Sequence, residues 1–422
     1  MKTSGWDTVF VVNEARLNKL LETHADQVTL DFDVEIPGIE GARAIGKFAP
    51  WQIAQGGSND IIHLRLEIAS GTLTTGSENI DLSGVTLVIA TYLDWLSIDN
   101  QKEQLQFDYN RLGEGGNPPD RGELSVVKLL DPNGVLSPQE NALVSFSLGT
   151  FLVENADQVR FVFATVNLIA PKTNSWLTPV KNAYGYFHRE GLDAGFLAIF
   201  SVTTDRDISS LQRTVDPAAI PVTTDASYVI SGELFLNNVI APGLAKSFST
   251  DISAFYYDAA AGLLRNTRKL AAKAVKSGAI WYYPVVDQLE VRSAENALTT
   301  YAKGNADMYA GIWLNFTVSS RNVAQYSASD GSLNFLTDPA PKESHNADIP
   351  WWFFLAGPIV IAITAIVVKV ISDDIAKDIA DENKERLALG KHPPSSILVG
   401  ANDAINVTSI TVNDALLVSG NI

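Results

Sequence analysis

The chain has 422 residues, of which 46% are hydrophobic and 19% are charged, and its formal net charge is −17 at pH 7. This size and apolar content predict two large domains or one elongated body with two parts. The excess of carboxylates argues against nucleic acid as a partner, because binding a duplex requires Lys and Arg to neutralise phosphates. The absence of cysteine excludes disulfides, thiolate metal sites and a cysteine nucleophile.

The first twelve residues, MKTSGWDTVFVV, do not combine a charged segment with a long apolar core. They therefore do not have the pattern of a secretory signal peptide. We expect the protein to be made in the cytoplasm without a signal peptide, and any release from the cell to use another route.

The first half of the chain predicts one helix followed by strands. Leu17, Leu20 and Leu21 recur at helical spacing and predict a helix over residues 13–23. Residues 28–36 alternate between apolar and acidic side chains and predict a half-buried antiparallel strand. Its outward row of carboxylates is a solvated sheet face or, as the alternative, a calcium site. Further strands are predicted over residues 61–70, 85–93, 104–109, 143–148, 159–169 and 195–203.

A change in composition at Pro217 and Pro221 predicts two halves, residues 1–220 and 221–422. Each half has long alternating strands and at least one apolar helix. The predicted fold is therefore α+β, with a long curved antiparallel sheet wrapped around a helix in each half. In the second half we predict helices over 258–276 and 373–389, and strands over 279–292, 309–319, 332–336 and 396–418.

The predicted helix over residues 258–276 carries the clearest basic stripe of this acidic chain. A basic amphipathic helix can lie on an anionic membrane or receive a lipid head group. The alternative is a solvated face whose charges offset acidic neighbours in the fold or in a partner. The basic residues are Arg265, Arg268, Lys269, Lys273 and Lys276.

Residues 351–371, WWFFLAGPIVIAITAIVVKVI, form the longest apolar run. A membrane-spanning helix needs about 20 apolar residues. Gly357 and Pro358 interrupt the run, and only ten residues follow before Lys369 and an acidic segment. We therefore expect no transmembrane span. The run is predicted to be buried in the protein's own core or to line a groove of lipid size.

Catalytic and metal-binding patterns are not evident. The five histidines show no metal-ligand spacing, and there is no HExxH or GxSxG motif. Residues 41–48, GARAIGKF, miss the Ser or Thr of a phosphate-binding loop, and Pro50 prevents the helix that should follow. The sequence therefore predicts a protein that is not an enzyme and that uses no cofactor or metal.

Three segments resemble the clostridial forty-seven-kilodalton accessory protein and OrfX family of botulinum-type toxin gene clusters. They are residues 5–10, GWDTVF, residues 231–242, SGELFLNNVIAP, and the Trp-rich apolar run with its Gly-Pro. The resemblance implies an elongated body of the tubular lipid-binding (TULIP-like) type. It also implies a non-catalytic role beside a toxin, with lipid as a proposed ligand and release together with the toxin. The family offers no catalytic residues to carry over.

We therefore expect an accessory protein that binds lipid or another hydrophobic ligand in an apolar groove, or that assists the toxin. The alternative is a protein–protein interaction module with a filled core, which binds sibling accessory proteins or the toxin through strand edges and loops. The residues predicted to line the groove are Trp351, Trp352, Phe353, Phe354, Ile359, Ile363, Trp281, Tyr283 and Trp313. The residues predicted to contact a head group are Arg265, Lys269 and Lys273.

Overall fold

A computed structural model describes residues 1–28, 31–114, 118–159, 161–168, 175–188, 195–277, 279–308, 313–345, 396–400 and 404–422. The helices among these residues are α1 (Glu14–Thr23), α2 (Pro138–Glu154), α3 (Gly232–Phe235) and α4 (Ala241–Ser247), and a π-helical turn, Leu236–Ile240, joins the last two. Short 3₁₀ turns occur at Ala25–Gln27, Ala156–Gln158, Ser175–Leu177, Pro217–Ala219 and Ile252–Ala254.

Strands make up most of the described chain. In chain order they are β1 (Thr8–Asn13), β2 (Asp31–Glu35), β3 (Arg43–Phe48), β4 (Gln52–Ser58), β5 (Ile61–Thr75), β6 (Glu78–Asp81), β7 (Thr86–Asp99), β8 (Lys102–Leu112), β9 (Gly122–Leu130), β10 (Val162–Asn167), β11 (Lys181–His188), β12 (Gly195–Val202), β13 (Ala226–Ile230), β14 (Phe255–Asp258), β15 (Leu263–Asn266), β16 (Leu270–Ala271), β17 (Val275–Ser277), β18 (Ile280–Tyr282), β19 (Val285–Ala294), β20 (Ala297–Asp307), β21 (Trp313–Ser327), β22 (Ser332–Phe335), β23 (Lys342–His345), β24 (Ile397–Val399), β25 (Asn406–Asn413) and β26 (Ala415–Asn421).

Within the described residues these strands form four sheets. A ten-stranded sheet has the order β2-β3-β5-β7-β9-β8-β10-β24, with β4 and β6 also on β5. An eight-stranded sheet has the order β14-β15-β19-β20-β21-β22, with β16 on β19 and β23 on β21. A six-stranded sheet has the order β11-β12-β1-β13-β26-β25, and β17 pairs with β18 alone. With its few helices, this arrangement confirms the predicted α+β class.

The six-stranded sheet joins both ends of the chain. Strand β1 lies between β12 and β13, and β13 pairs in turn with β26. Both faces of this sheet are covered, because Phe10 and Val12 belong to the main hydrophobic core while Val9 and Val11 belong to a second cluster around Trp6. The sheet therefore draws strands from both sides of residue 220, and the division into two halves there stays a prediction.

The GWDTVF segment starts this sheet and also fastens the segment that follows β12. The Trp6 side chain is buried, and its indole N–H donates to the Gln212 carbonyl at 3.0 Å. The Asp7 carboxylate accepts from Arg206 at 2.8 Å and from the Thr203 backbone N–H at 2.7 Å. These contacts span about two hundred residues of sequence, so the segment has a structural role in the fold.

Several predicted elements are confirmed. Helix α1 begins after Asn13, whose side chain accepts from the Arg16 backbone N–H, and it buries all three predicted leucines. In β2 the three carboxylates are exposed while Phe32 is buried, as the alternation predicts. Strands also occur where they were predicted at β5, β7, β8, β10, β12, β19, β21, β22 and β24–β26.

Two predictions were wrong. Residues 143–148 were predicted as a strand but lie inside α2, because Ser137 and Pro138 begin a helix that continues through them. Residues 258–276 were predicted as a helix but form β15, β16 and the start of β17. The reason is a turn at Gly262, whose φ of 65° suits glycine, followed by the pairing of β15 with both β14 and β19.

The apolar run 351–371 and the predicted helix over 373–389 lie outside the described residues. Among the helices that the structure describes, none has the length and apolar character needed to cross a membrane.

Candidate functional site

Helix α2 begins with a reciprocal cap. The Ser137 hydroxyl accepts from the Glu140 backbone N–H at 3.3 Å, and the Glu140 carboxylate accepts from the Ser137 backbone N–H at 2.8 Å. Pro138 occupies the first turn, where its missing N–H costs nothing. The hydrogen bonds from Ser137 hold the pKa of the Glu140 carboxyl below its usual value. This cap fixes where the helix starts and therefore which side chains face the sheet.

Helix α2 is apolar around much of its circumference. Val144, Leu148 and Leu152 are buried against the sheet. Phe146 points the other way, and 53% of its surface is exposed although it is a large aromatic. A helix with apolar residues beyond its buried face needs further cover from protein or from a ligand. Helix α2 therefore has more apolar surface than its packing against the described residues covers.

A cavity of about 770 Å³ lies between α2 and strands β8 and β9. Its lining is mainly apolar, and polar groups sit among these side chains. Its size falls within the range of about 300–1,000 Å³ that is typical of small-molecule sites. The apolar lining residues are Leu112, Val126, Val127, Leu129, Ala142 and Phe146, and the polar ones include Glu114, Lys128, Asn141, Ser145 and Thr150.

Gly149 brings α2 close to the strands that form this cavity. A Cβ at this position would lie 2.8 Å from Val126 Cγ2 and 2.9 Å from Leu112 Cδ1. Both neighbours belong to side chains that also line the cavity, and Leu112 is the more flexible of the two because Val126 is branched at Cβ. The glycine therefore sets the spacing between the helix and the wall of the cavity.

A second cavity of about 830 Å³ lies on the other side of α2, against β2 and β3. Phe146 and Thr150 line both cavities, so the exposed ring stands between them. The second cavity is more polar and includes the ion pair of Asp33 and Arg43. Their mutual hydrogen bond lowers the pKa of Asp33 and raises the pKa of Arg43. The two cavities together form an apolar site next to a charged one.

The predicted groove residues fall into two groups. Trp351, Trp352, Phe353, Phe354, Ile359 and Ile363 lie outside the described residues. Trp281, Tyr283 and Trp313 are described, and the exposed fractions of their side chains are 52%, 68% and 55%. These three residues therefore lie on the surface, away from α2, and their contribution to a groove stays a prediction.

The predicted head-group residues do not lie on a helix. Arg265 is in β15 and forms ion pairs with Asp258 at 2.8 Å and with Glu290 at 3.2 Å. Lys269 pairs with Asp287 at 2.8 Å. The alternative interpretation, a solvated helix face that offsets acidic neighbours, was wrong about the helix, but Arg265 and Lys269 do pair with acidic neighbours in the fold. Their contact with a head group, and that of Lys273, stays a prediction.

Other chemistry is limited in the part of the chain that the structure describes. No group of three or more His, Cys, Asp or Glu residues there is arranged to hold a metal ion. His63 lies in β5 with Nδ1 3.3 Å from the Gln55 carbonyl, and burial lowers the pKa of its imidazole. A single histidine with a backbone partner is typical of a structural role.

The sequence contains one signal for helix α2, which forms one wall of the cavity. Ser137, Pro138 and Glu140 have the spacing of a helix start, and an apolar segment follows them. The regular alternation in residues 143–148 favoured a strand instead. The cavity itself could not be read from sequence, because β8 and β9 approach α2 only in the folded chain.

Comparisons with known proteins agree with this architecture. The family model "OrfX-like: Protein OrfX2/OrfX3/P47" matches residues 3–380. Protein P47 of Clostridium botulinum (strain Kyoto / Type A2) is 24% identical over 357 residues, which cover 82% of this chain and 83% of that protein. Protein OrfX3 of Paraclostridium bifermentans is 25% identical over 281 residues, which cover 58% of this chain. The match spans about half of the OrfX3 length, 55%.

Two solved structures show the same fold. The structure of P47 from Clostridium botulinum A2 has a TM-score of 0.76, with 21% identity, and the match covers 100% of this chain and 98% of that one. The crystal structure of P47 of Clostridium botulinum E1 has a TM-score of 0.70, with 20% identity and 100% of both chains covered.

Proposed function

We propose that this chain, which belongs to the OrfX-like family of OrfX2, OrfX3 and P47 proteins, binds a lipid or another hydrophobic ligand in an apolar groove. Members of this family are accessory proteins of toxin gene clusters. On this proposal the protein is non-catalytic, is made in the cytoplasm and leaves the cell together with the toxin.

The observation that carries the proposal is the apolar cavity beside α2, with Phe146 exposed at its edge. Burying an acyl chain gains about 0.8 kcal/mol per CH₂ group. Covering the exposed part of an aromatic ring adds to this gain, since such rings carry large apolar areas. A ligand of about ten methylene groups would gain about 8 kcal/mol in this way, which offsets the cost of immobilising it.

The nearby polar groups suit a ligand with one polar end. Lys128 provides a cation, and Asn141 and Thr150 provide hydrogen-bonding groups, all on the lining of the cavity. A fatty acid or a single lipid chain has this combination of an apolar body and a polar terminus. The apolar run 351–371 remains part of the proposed groove on sequence grounds alone.

The proposal is tested by titrating the protein with cis-parinaric acid, whose fluorescence rises in an apolar site. We expect Phe146→Asp to weaken binding at least about tenfold, because a carboxylate would lie beside the chain. Val126→Trp should weaken it similarly by filling the cavity without adding charge. The matched control is Ile98→Asp, since Ile98 has the same exposed fraction, 53%, at a distant point of β7.

Two results would reject this site. One is binding of the fatty acid that neither Phe146→Asp nor Val126→Trp changes, which would move the ligand elsewhere. The other is an absence of binding by the unmodified protein, combined with a lipid-free extract of the purified protein in mass spectrometry.

Assistance to the toxin, or binding to sibling accessory proteins, is the second part of the proposal and rests on the family alone. Pull-down with the co-encoded proteins at micromolar concentration tests it. Binding that survives both cavity substitutions would support the interaction module, whereas failure of every co-encoded protein to bind would reject it.

A further inference from the structure

Strands β17 and β18 form a hairpin that extends from the eight-stranded sheet. Below the hairpin, β16 pairs with β19 through Leu270 and Val286. The ladder continues with the Ala272 backbone N–H, which donates to the Pro284 carbonyl at 2.9 Å. Beyond this point β17 pairs only with β18 among the described strands. The hairpin therefore projects past the end of the sheet.

The two faces of the hairpin differ sharply. Val275 and Tyr282 are opposite each other and are buried, with exposed fractions of 7% and 2%, so they attach the hairpin to the main core. Trp281 and Tyr283 alternate with Tyr282 and point outward. Ile280 is also exposed, at 43%, although the alternation places it on the same face of β18 as Tyr282. The hairpin is thus held firmly on one side and presents large apolar side chains on the other.

Trp313 lies at the same end of the eight-stranded sheet. The register joins Val285 to Asn305 and Asn305 to Asn315 across β19, β20 and β21. Tyr283 is two residues before Val285, and Trp313 is two residues before Asn315. Both therefore lie just beyond the row of paired residues formed by Val285, Asn305 and Asn315. We call Trp281, Tyr283 and Trp313 the aromatic patch.

Two charged residues accompany the patch: the exposed Asp307 of β20 pairs directly with Trp313, and Lys276 lies beside Trp281. The Lys276 ammonium lies 5.6 Å from the centre of the Trp281 ring, directly across the hairpin from it. An ammonium in this position gains attraction from the ring and stays in water or among phosphates. Trp, Tyr and Lys side chains are the residues that concentrate at membrane–water interfaces, because each has an apolar body and a polar end.

We propose that the aromatic patch anchors the protein to the interface of a zwitterionic phospholipid bilayer. Three aromatic side chains that are a little over half exposed offer less than half of the ~800 Å² per partner that a stable protein–protein interface needs. A projecting hairpin tip needs no such broad contact to enter the head-group layer. The patch is therefore better suited to shallow insertion than to a permanent protein partner.

The charge of the chain decides the lipid class. A net charge of −17 repels an anionic membrane as a whole, and the single Lys276 on the hairpin strands cannot reverse that repulsion. An aromatic anchor does not need anionic lipid, since its gain comes from the apolar and hydrogen-bonding groups of the interface. Binding should therefore be strongest on neutral vesicles and should not weaken in about 0.5 M salt.

The test is flotation of the full-length protein with vesicles of phosphatidylcholine alone and of phosphatidylcholine with phosphatidylserine. The variant replaces Trp281, Tyr283 and Trp313 by serine. We expect it to lower the partition coefficient at least about tenfold, because each ring carries a large amphipathic area. The matched control replaces Leu96, Ile98 and Val222 by serine, since these residues are exposed to a similar degree elsewhere.

The control should float within twofold of the unmodified protein, and both variants should unfold at the same temperature. Three outcomes would overturn the proposal. They are a patch variant that floats as well as the unmodified protein, an unmodified protein that binds only vesicles that contain phosphatidylserine, and a patch variant that loses self-association while it still floats. This inference stands apart from the α2 cavity, because the patch variant should still bind cis-parinaric acid. Loss of flotation and loss of fatty-acid binding therefore report on different sites.

Discussion

Two apolar helical segments pack on the sheets of this protein, and they do so to different extents. The segment Gly232–Ser247, formed by α3, the π-helical turn and α4, buries Phe235, Leu236 and Ile240 almost completely. Helix α2 buries a comparable set on one side but leaves Phe146 half exposed, with a cavity on each side of it. Apolar composition alone therefore does not tell whether a helix fills its site or leaves space.

The difference originates in what lies around each helix. Gly232 packs so closely that a Cβ would lie 1.9 Å from the Asp414 carbonyl oxygen, which is backbone of the loop before β26. Gly149 in α2 meets only the ends of side chains that line the cavity. The first segment packs against backbone of the loop before β26, whereas α2 packs against side chains that border a cavity.

The largest expected effect comes from truncating the enclosed segment. Phe235→Ala removes a fully buried ring, and we expect it to lower the free energy of unfolding by about 3–5 kcal/mol. Phe146→Ala should lower it by less than about 1 kcal/mol, since half of that ring already faces solvent. Urea denaturation of both variants measures the difference. Equal losses would show that Phe146 is part of the core and would remove the distinction between the two helices.

A smaller effect is expected from adding one methyl group to each helix. Gly232→Ala should destabilise by about 1–3 kcal/mol, because the backbone oxygen of Asp414 cannot move aside cheaply. Gly149→Ala should destabilise less than Gly232→Ala, since the alanine gains about 0.5–1 kcal/mol of helix propensity and its Cβ meets side chains, not backbone, of which Leu112 can rotate although Val126 is stiff. The same denaturation experiment tests both.

The matched readout for this pair is fatty-acid binding. Gly149→Ala should narrow the cavity and weaken cis-parinaric acid, while Gly232→Ala should leave the affinity of the folded protein unchanged. A strongly destabilising Gly149→Ala would contradict the view that the cavity wall can adjust.

Much of the fold could be predicted because alternation in strands is a local property. The position of Phe32 between exposed carboxylates predicts that its side chain is buried. The helical spacing of Leu17, Leu20 and Leu21 predicts burial on one helix face in the same way. The helix predicted over residues 258–276 was wrong because a run of basic and small side chains fits a helix as well as it fits strands. The segment forms strands because the chain turns at Gly262 and because acidic partners such as Glu290 lie on a strand distant in sequence.

The candidate sites show the same limit. Trp281 and Trp313 lie in strands as predicted, whereas Tyr283 lies between β18 and β19, and the side of the sheet that they occupy depends on a hairpin and a register that only the folded chain reveals. Trp6 and Asp7 were recognised through a family resemblance. Their structural role follows from contacts with Gln212 and Thr203, which no local pattern predicts.

The smallest expected effect concerns the cap that starts α2. Ser137→Ala removes one of the two reciprocal hydrogen bonds and should lower the free energy of unfolding by about 1 kcal/mol near neutral pH. Glu140→Gln should cost less, because an amide oxygen can still accept from the Ser137 backbone N–H but has no charge to favour the helix N-terminus.

The pH dependence of this cap has a definite sign. The pKa of Glu140 is lowered in the folded state, chiefly by its hydrogen bond with Ser137, so the folded state favours the carboxylate. Its contribution is fully present above the ordinary pKa of 4.5 and is lost as the pH falls through the lowered folded value. The stability difference between the unmodified protein and Glu140→Gln should therefore shrink on acidification. A difference that stays constant from neutral to acid pH would mean that the charge of Glu140 does not hold the start of α2, and that Ser137 and Pro138 suffice to place Phe146 beside the cavity.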